Sequence, residues 1–110
     1  MKHEILKRNG ATIVAFKGEI DLESSPAARK ILLRCFDNNS KVVVDLSGVT
    51  YIDSSGVASL VEALQAAKKN AGQFSLAAVS EPTRRVLELA RLDKVFTLYD
   101  SVDKALDNPA

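Results

Sequence analysis

The sequence of 110 residues has little of the chemistry on which most catalytic and metal sites depend, since it contains one cysteine and one histidine. Cys35 has no second thiol for an internal disulfide and no neighbouring ligands for a zinc site, so we expect a buried, inert side chain. His3, beside the N-terminus, is a poor base for a serine hydrolase, and no nucleotide-binding glycine motif occurs. We therefore predict no metal, no cofactor and no enzymatic activity.

Long apolar runs and an excess of one charge are also missing. The 15 Lys and Arg residues stand against 14 Asp and Glu residues, which gives no reason to expect a nucleic-acid partner. The apolar stretches are far shorter than the ~20 residues of a membrane-spanning helix. The charged N-terminus MKHEILKRNG lacks the apolar segment of a signal peptide. These features predict a cytoplasmic protein that does not insert into a membrane.

What the sequence does contain is 46% hydrophobic residues, which suits a packed core. We expect one domain that spans residues 1–110. Asn9 and Gly10 lie between two extended runs, and both residue types tolerate positive φ angles, so the domain should begin with a β-hairpin.

Helix and strand patterns alternate after the hairpin. Helices are predicted roughly over 26–36 after a Ser25 cap, from Ser54 to a stop at Ala71-Gly72, from near Ser80, and after a Ser101 cap. Strands are predicted over 42–46, 74–79 and 94–98, with a polar turn over 37–40. The order ββαβαβαβα predicts an α/β fold with parallel strands. Four residues are expected in its core, namely Val44, Leu60, Leu64 and Leu76.

The junction between the central strand and its helix reads YIDSSG over residues 51–56. A helix cap at Asp53 or Ser54 explains part of this segment with no further function. It leaves Ser55 and Gly56 less well explained, because glycine in a helix costs up to ~1 kcal/mol relative to alanine. The Gly-x-Ser-x-Gly elbow of acyl-transfer enzymes is absent. The remaining chemical use is phosphorylation of Ser55, since a helix N-terminus tolerates an anion.

Residues 42–64, VVVDLSGVTYIDSSGVASLVEAL, resemble the central segment of STAS domains, specifically those of bacterial anti-sigma factor antagonists. Gly18-Glu19-Ile20-Asp21 is similar to the family's Gly-Glu-Leu-Asp segment, and residues 53–56 match its Asp-Ser-Ser-Gly segment. The stretch over 76–99 is similar to the family's later strand, proline-started helix and apolar strand. The resemblance implies a single STAS-like α/β domain, with a mixed β-sheet, an N-terminal hairpin and helices packed mainly on one face.

The resemblance also implies a phosphorylation-controlled partner switch. In that family an anti-sigma factor that is also a serine kinase phosphorylates the position of Ser55. The unmodified antagonist binds the anti-sigma factor and releases a sigma factor, and a serine phosphatase resets the phosphorylated form. The partner-binding residues implied are Asp21, Asp53, Ser54, Ser55 and Gly56, with the two acids beside the phosphoacceptor.

Two alternatives stay open at this point. STAS domains also serve as short cytosolic accessory subunits of lipid-transport ABC systems, which bind without a phospho-switch. A purely structural interaction domain would need only the helix cap and no modification of Ser55. The complete Asp-Ser-Ser-Gly segment favours the switch over the ABC-accessory role, and modification of Ser55 would distinguish the switch from the structural domain.

Overall fold

The structure, a computed structural model, describes residues 1–36 and 40–107, so most of the turn predicted over 37–40 lies outside the described residues. The elements follow the predicted order. They are β1 Lys2–Arg8, β2 Ala11–Ile20, α1 Ser25–Arg34, β3 Lys41–Ile52, α2 Ser54–Lys69, β4 Gln73–Ala77, α3 Glu81–Leu89, β5 Thr97–Tyr99 and α4 Val102–Asp107.

The strands β1 and β2 form the predicted antiparallel hairpin. Arg8 pairs with Ala11, which leaves Asn9 and Gly10 as a two-residue turn. Their φ angles of 52° and 77° are the left-handed values that such a turn requires. β1 lies at the edge of the sheet, and each of its residues is exposed.

Within the described residues, five strands form one mixed sheet in the order β1-β2-β3-β4-β5, with parallel pairing from β2 onward. Val14, Val44 and Leu76 lie in register across three strands and face the main core beneath α1, α2 and α3. Val43 faces the other side, where it packs in a smaller core with Ala105 of α4. In the part of the chain that the structure describes, three helices pack on one face of the sheet and one on the other, which confirms the predicted fold class.

The strand β3 is longer than the 42–46 predicted from its β-branched run, and it extends over Lys41–Ile52. Its parallel pairing with β2 continues through two register shifts within residues 15–19 of β2. Gly48 permits the close approach of the strands there, because a Cβ atom at this position would lie 2.8 Å from the Lys17 side chain. The longer strand leads directly to the junction with α2.

The strand β5 is shorter than predicted and begins later, at Thr97 instead of residue 94. The N–H groups of Val95 and Phe96 both donate to the carbonyl of Leu92, at 3.0 and 3.2 Å, and so form a turn in place of the first part of the strand. Phe96 is buried against the main core.

Three of the four residues expected in the core are buried, namely Val44, Leu60 and Leu76. The prediction is wrong for Leu64, which is only partly buried and packs at the margin of the main core. The buried stripe of α2 continues from Leu60 through Ala63 and Ala67. Leu64 lies beside this stripe and not within it. Leu64→Ala should therefore lower the free energy of unfolding by less than the ~2–5 kcal/mol expected for a fully buried leucine.

Candidate functional site at the ends of two parallel strands

Two neighbouring parallel strands end at the same height in the sheet. Ile20, the last residue of β2, pairs with Ile52, the last residue of β3. Asp21 and Asp53 follow these residues, and the Asp53 N–H donates to the Ile20 carbonyl at 3.3 Å. Both acids predicted from the sequence therefore lie at the carboxyl edge of the sheet, where α/β folds place their functional groups.

Asp53 is the N-cap of α2. Its Oδ1 atom accepts hydrogen bonds from the Ser55 N–H at 3.0 Å, from the Gly56 N–H at 3.1 Å and from the Ser55 hydroxyl at 2.5 Å. These donors, with the Ser55 hydroxyl as the largest contribution, hold the pKa of the Asp53 carboxyl below its usual range. Asp53 is therefore charged at neutral pH and fixes the orientation of the Ser55 side chain.

The two serines of the first turn of α2 differ in environment. Ser54 is exposed, whereas Ser55 is partly buried. The Ser55 hydroxyl donates its proton to a carboxylate, which polarises the O–H bond and leaves the oxygen available to an electrophile. The capping role predicted for Asp53 or Ser54 is filled by Asp53.

Gly56 lies beneath this surface and is buried. A Cβ atom at this position would lie 2.6 Å from the Ile20 carbonyl oxygen and 2.6 Å from the Ile52 side chain, closer than real Cβ atoms approach. Glycine thus lets the first turn of α2 pack directly on the ends of β2 and β3. Packing within the chain itself thus explains the glycine that the helix cap alone left unexplained.

Asp21 stabilises the loop between β2 and α1 through its side chain. Its Oδ1 atom accepts from the N–H groups of Glu23 and Ser24, at 3.1 and 3.0 Å, and lies 3.0 Å from the Ser24 hydroxyl. The Ser24 hydroxyl oxygen accepts in turn from the Asp21 N–H at 2.9 Å and lies 3.0 Å from the Glu19 carbonyl. The Ser24 N–H and hydroxyl hold the pKa of the Asp21 carboxyl below its usual range. Asp21 is therefore a charged neighbour of the Asp53 junction that stabilises the loop before α1.

The helix α1 begins one residue earlier than predicted. Ser25 is its first residue rather than its cap, and it is buried with its N–H donating to the Asp21 carbonyl at 2.7 Å. Ser24 occupies the cap position, but its side chain bonds within the loop and caps no helical N–H. Pro26 lies in the first turn, as its fixed φ angle favours.

A groove of about 250 Å³ opens between α1 and α2 beside Ser55. Its polar lining consists of Ser25, Arg29, Ser55, Ser59 and Glu62. The Ser59 hydroxyl lies 3.1 Å from both the Ser25 and the Ser55 carbonyl oxygens, and Arg29 forms an ion pair with Glu62 across the groove. The sequence did not predict this groove, because the groove forms where two helices distant in sequence pack together. No local residue spacing indicates such a contact.

Three further features would bear on function, namely a metal-binding cluster, a membrane-spanning helix and a reactive thiol at Cys35. Within residues 1–36 and 40–107, no group of His, Cys, Asp and Glu side chains lies close enough to hold a metal ion. No helix in the described part of the chain combines the length and the apolar character needed to cross a membrane. Cys35 is partly buried rather than fully buried, and its thiol donates to the Ile31 carbonyl at 3.3 Å. Burial raises the pKa of this thiol, which disfavours the reactive thiolate.

Comparison with known proteins covers nearly the whole chain. The anti-sigma-F factor antagonist RsfB of Mycobacterium tuberculosis is 32% identical over an alignment of 106 residues that covers 93% of this chain and 84% of that protein. The anti-sigma-B factor antagonist of Bacillus subtilis is 28% identical over 85 residues, or 77% of this chain and 78% of that protein.

A solved structure agrees with these relatives. The crystal structure of an anti-sigma factor antagonist from Mycobacterium paratuberculosis has a TM-score of 0.84 and 32% identity, and the match covers 96% of this chain and 90% of that one. A family model described as the STAS domain matches residues 2–105, a range that runs from β1 into α4. By sequence and by fold, the chain belongs to the STAS domain family.

Proposed function

We propose that this protein is an anti-sigma factor antagonist controlled by phosphorylation of Ser55. The observation that carries the proposal is the partly exposed Ser55 hydroxyl in the first turn of α2, held by the charged Asp53 carboxylate. The antagonist names of the relatives from Mycobacterium tuberculosis and Bacillus subtilis support it. The acting unit is the STAS domain over residues 1–110, which works in the cytoplasm by binding a partner rather than by catalysis.

The docking surface in this proposal lies around the two strand ends. Asp21, Asp53, Ser54 and Ser55 supply its polar groups, and Gly56 supports it from below by allowing α2 to pack closely on the sheet. The loop that follows β2 adds Leu22, whose side chain is 74% exposed. Burial of this exposed apolar side chain against a partner would contribute to the free energy of binding.

The switch itself is a phosphoryl transfer from ATP, catalysed by an anti-sigma factor that is also a serine kinase. The Ser55 oxygen forms a bond to the γ-phosphorus, the bond from that phosphorus to the bridging oxygen of ADP breaks, and the hydroxyl proton is released. A serine phosphatase reverses the state by hydrolysing the ester with water, which restores the hydroxyl and yields inorganic phosphate.

Phosphorylation changes the surface in two ways. It removes the proton that Ser55 donates to Asp53, and it adds about two negative charges beside that carboxylate. A partner surface arranged around a neutral hydroxyl would then meet a bulky anion for which it supplies no hydrogen-bond donor or cation, and this mismatch weakens binding by about two orders of magnitude or more. The phosphorylated form therefore releases the anti-sigma factor, which can again hold its sigma factor.

Calorimetric titration against the cognate anti-sigma factor tests the proposal, with wild type, Ser55→Ala and Ser55→Asp each measured with and without ATP. Wild type should bind without ATP and weaken after phosphorylation, Ser55→Ala should stay bound in both conditions, and Ser55→Asp should bind poorly in both. Ser54→Asp is the matched control, since it places the same charge on the exposed neighbouring side chain and should weaken binding less. Equal affinity of all forms would exclude the switch and favour the ABC-accessory alternative.

A further inference from the structure

The groove between α1 and α2 is lined by both a cation, Arg29, and the proposed phosphoacceptor, Ser55. The Ser59 hydroxyl bridges the start of α1 to the start of α2 through the carbonyls of Ser25 and Ser55. Arg29 lies one helical turn beyond Ser25, and its side chain lines the groove together with Ser55. Helical side chains lean toward the N-terminus of their helix, so the guanidinium of Arg29 can extend back toward the Ser55 end of the groove.

A phosphate on Ser55 cannot keep the present position of the hydroxyl. That position is defined by a 2.5 Å hydrogen bond to Asp53 Oδ1, which an ester oxygen without a proton cannot make. The charged Asp53 carboxylate would repel the phosphate at so short a distance. The phosphate therefore has to turn away from Asp53, and the groove is an open space that Ser55 lines and Asp53 does not.

The charged residues that line this groove in the described structure are Arg29 and Glu62, which pair with each other. Their side chains are 53% and 46% exposed, and a pair so open to solvent contributes little to stability. A guanidinium forms two parallel hydrogen bonds to a phosphate, which carries more charge and more acceptor oxygens than a carboxylate. Arg29 is thus held in place by a partner that it can readily exchange.

We propose that Arg29 is the internal receptor for the phosphate of Ser55, and that phosphorylation transfers its guanidinium from Glu62 to the phosphate. This inference rests on the proposed function, because it requires that Ser55 carries a phosphate. The exchange has a second consequence for the same surface, since it leaves the Glu62 carboxylate on α2 without its cation. One modification thereby changes the charge pattern along the whole groove as well as at the strand ends.

The experiment uses the full chain with phosphoserine incorporated at position 55 during translation, so that no kinase is needed. The second pKa of the phosphate, ordinarily about 6, is measured by a phosphorus NMR titration. In Arg29→Gln this pKa should rise by about half a unit or more relative to the wild-type background, because the cation that favours the dianion is gone. In Glu62→Gln, which frees Arg29, it should stay level or fall. Arg29→Lys should lie between wild type and Arg29→Gln, since lysine keeps the charge and loses the paired hydrogen bonds.

Arg34→Gln is the matched control, because it removes the same charge from an exposed position on the same helix, where Arg34 lines a different groove. It should leave the phosphate pKa unchanged. An equal pKa in wild type and Arg29→Gln would overturn the proposal, and so would an equal rise in Arg29→Gln and Arg34→Gln. Neither result depends on a kinase or an anti-sigma factor, so this inference can fail while the proposed function stands. If the kinase instead fails to modify Ser55, the proposed function fails, whatever the NMR titration shows.

Discussion

The two strand-to-helix junctions of this domain are built from the same residue types, yet they use them differently. At the end of β2, Ser24 exchanges hydrogen bonds with Asp21, and its hydroxyl also lies within hydrogen-bond distance of the Glu19 carbonyl. The hydroxyl therefore helps to form the loop. At the end of β3, the Ser55 hydroxyl donates to Asp53, whose carboxylate also accepts from two backbone N–H groups. Asp21 and Ser24 thus stabilise a loop at the end of β2. At the end of β3, the contact between Asp53 and the Ser55 hydroxyl can be lost without removing the backbone bonds of the helix cap.

The largest effect expected from this difference is in phosphate acceptance. In a reaction with the cognate kinase and labelled ATP, Ser55→Ala should lose the label completely, whereas Ser24→Ala and Ser54→Ala should keep it. The reason is that the Ser24 hydroxyl is bonded within its loop, whereas the Ser55 hydroxyl is the one that the Asp53 carboxylate orients. Mass spectrometry of the labelled peptides identifies the site. Labelling of Ser55→Ala at the wild-type level would show that the two junctions were assigned the wrong roles.

The next largest effect is on folding and concerns the close packing of α2 at the second junction. Gly56→Ala should lower the free energy of unfolding by about 2–3 kcal/mol, at the upper end of overpacking effects, because the added methyl group meets the Ile20 carbonyl and the Ile52 side chain. Urea unfolding measures this change. Ser54→Ala, at an exposed position in the same turn, is the control and should change stability by less than ~0.5 kcal/mol. A loss below that value in Gly56→Ala would mean that α2 can move away from the strand ends.

A smaller effect should separate the two serines as structural residues. Ser24→Ala leaves the Asp21 N–H without its acceptor, so it should cost about 1–2 kcal/mol of stability. Ser55→Ala should cost less than ~1 kcal/mol, because Asp53 keeps its backbone donors from Ser55 and Gly56. Thermal and urea unfolding of both variants provide the comparison. A larger loss of stability in Ser55→Ala than in Ser24→Ala would contradict the distinction between the two junctions.

The smallest effect is the pH dependence of stability at the two acids. The pKa values of Asp21 and Asp53 are lowered in the folded state, so each carboxylate stabilises the fold above the unfolded pKa of about 3.9 and loses this contribution as the pH falls through its folded pKa. The stability gap between wild type and Asp53→Asn should therefore narrow below about pH 4. Unfolding titrations from pH 2 to pH 7 measure the gap, and a gap that stays constant over this range would contradict the assignment. Asp21→Asn provides the same test at the other junction.

Much of the fold could be predicted from local patterns. Asn9-Gly10 determines its turn because both residues accept left-handed φ angles, and the element order follows from apolar spacing. The boundaries of β3 and β5 were less predictable, since pairing with a neighbouring strand extends one and a turn at Leu92 shortens the other. The β3 boundary depends on a contact between segments distant in sequence, and the β5 boundary depends on two bonds to one carbonyl. Hydrophobic periodicity predicts neither of them.

The candidate site was predictable in part for a similar reason. The residues from Asp53 to Gly56 are contiguous, so they stand out as a motif, and the helix cap at Asp53 is a local effect. The packing reason for Gly56 depends on Ile20 from another strand. The Arg29 and Glu62 pair joins two polar helix faces that look ordinary in the sequence, so only the packing of α1 on α2 reveals it.

The exposed edge strand β1 bears on how the protein behaves at high concentration. Its unpaired backbone groups could add a strand from a second copy, the usual route to edge-to-edge aggregation. If two copies of β1 paired antiparallel about Ile5, Lys2 would lie opposite Arg8, so cations would face each other at both ends of the ladder. This arrangement resists self-assembly through electrostatic repulsion, and salt screens such repulsion. The colloidal stability of the domain should therefore decrease as ionic strength rises.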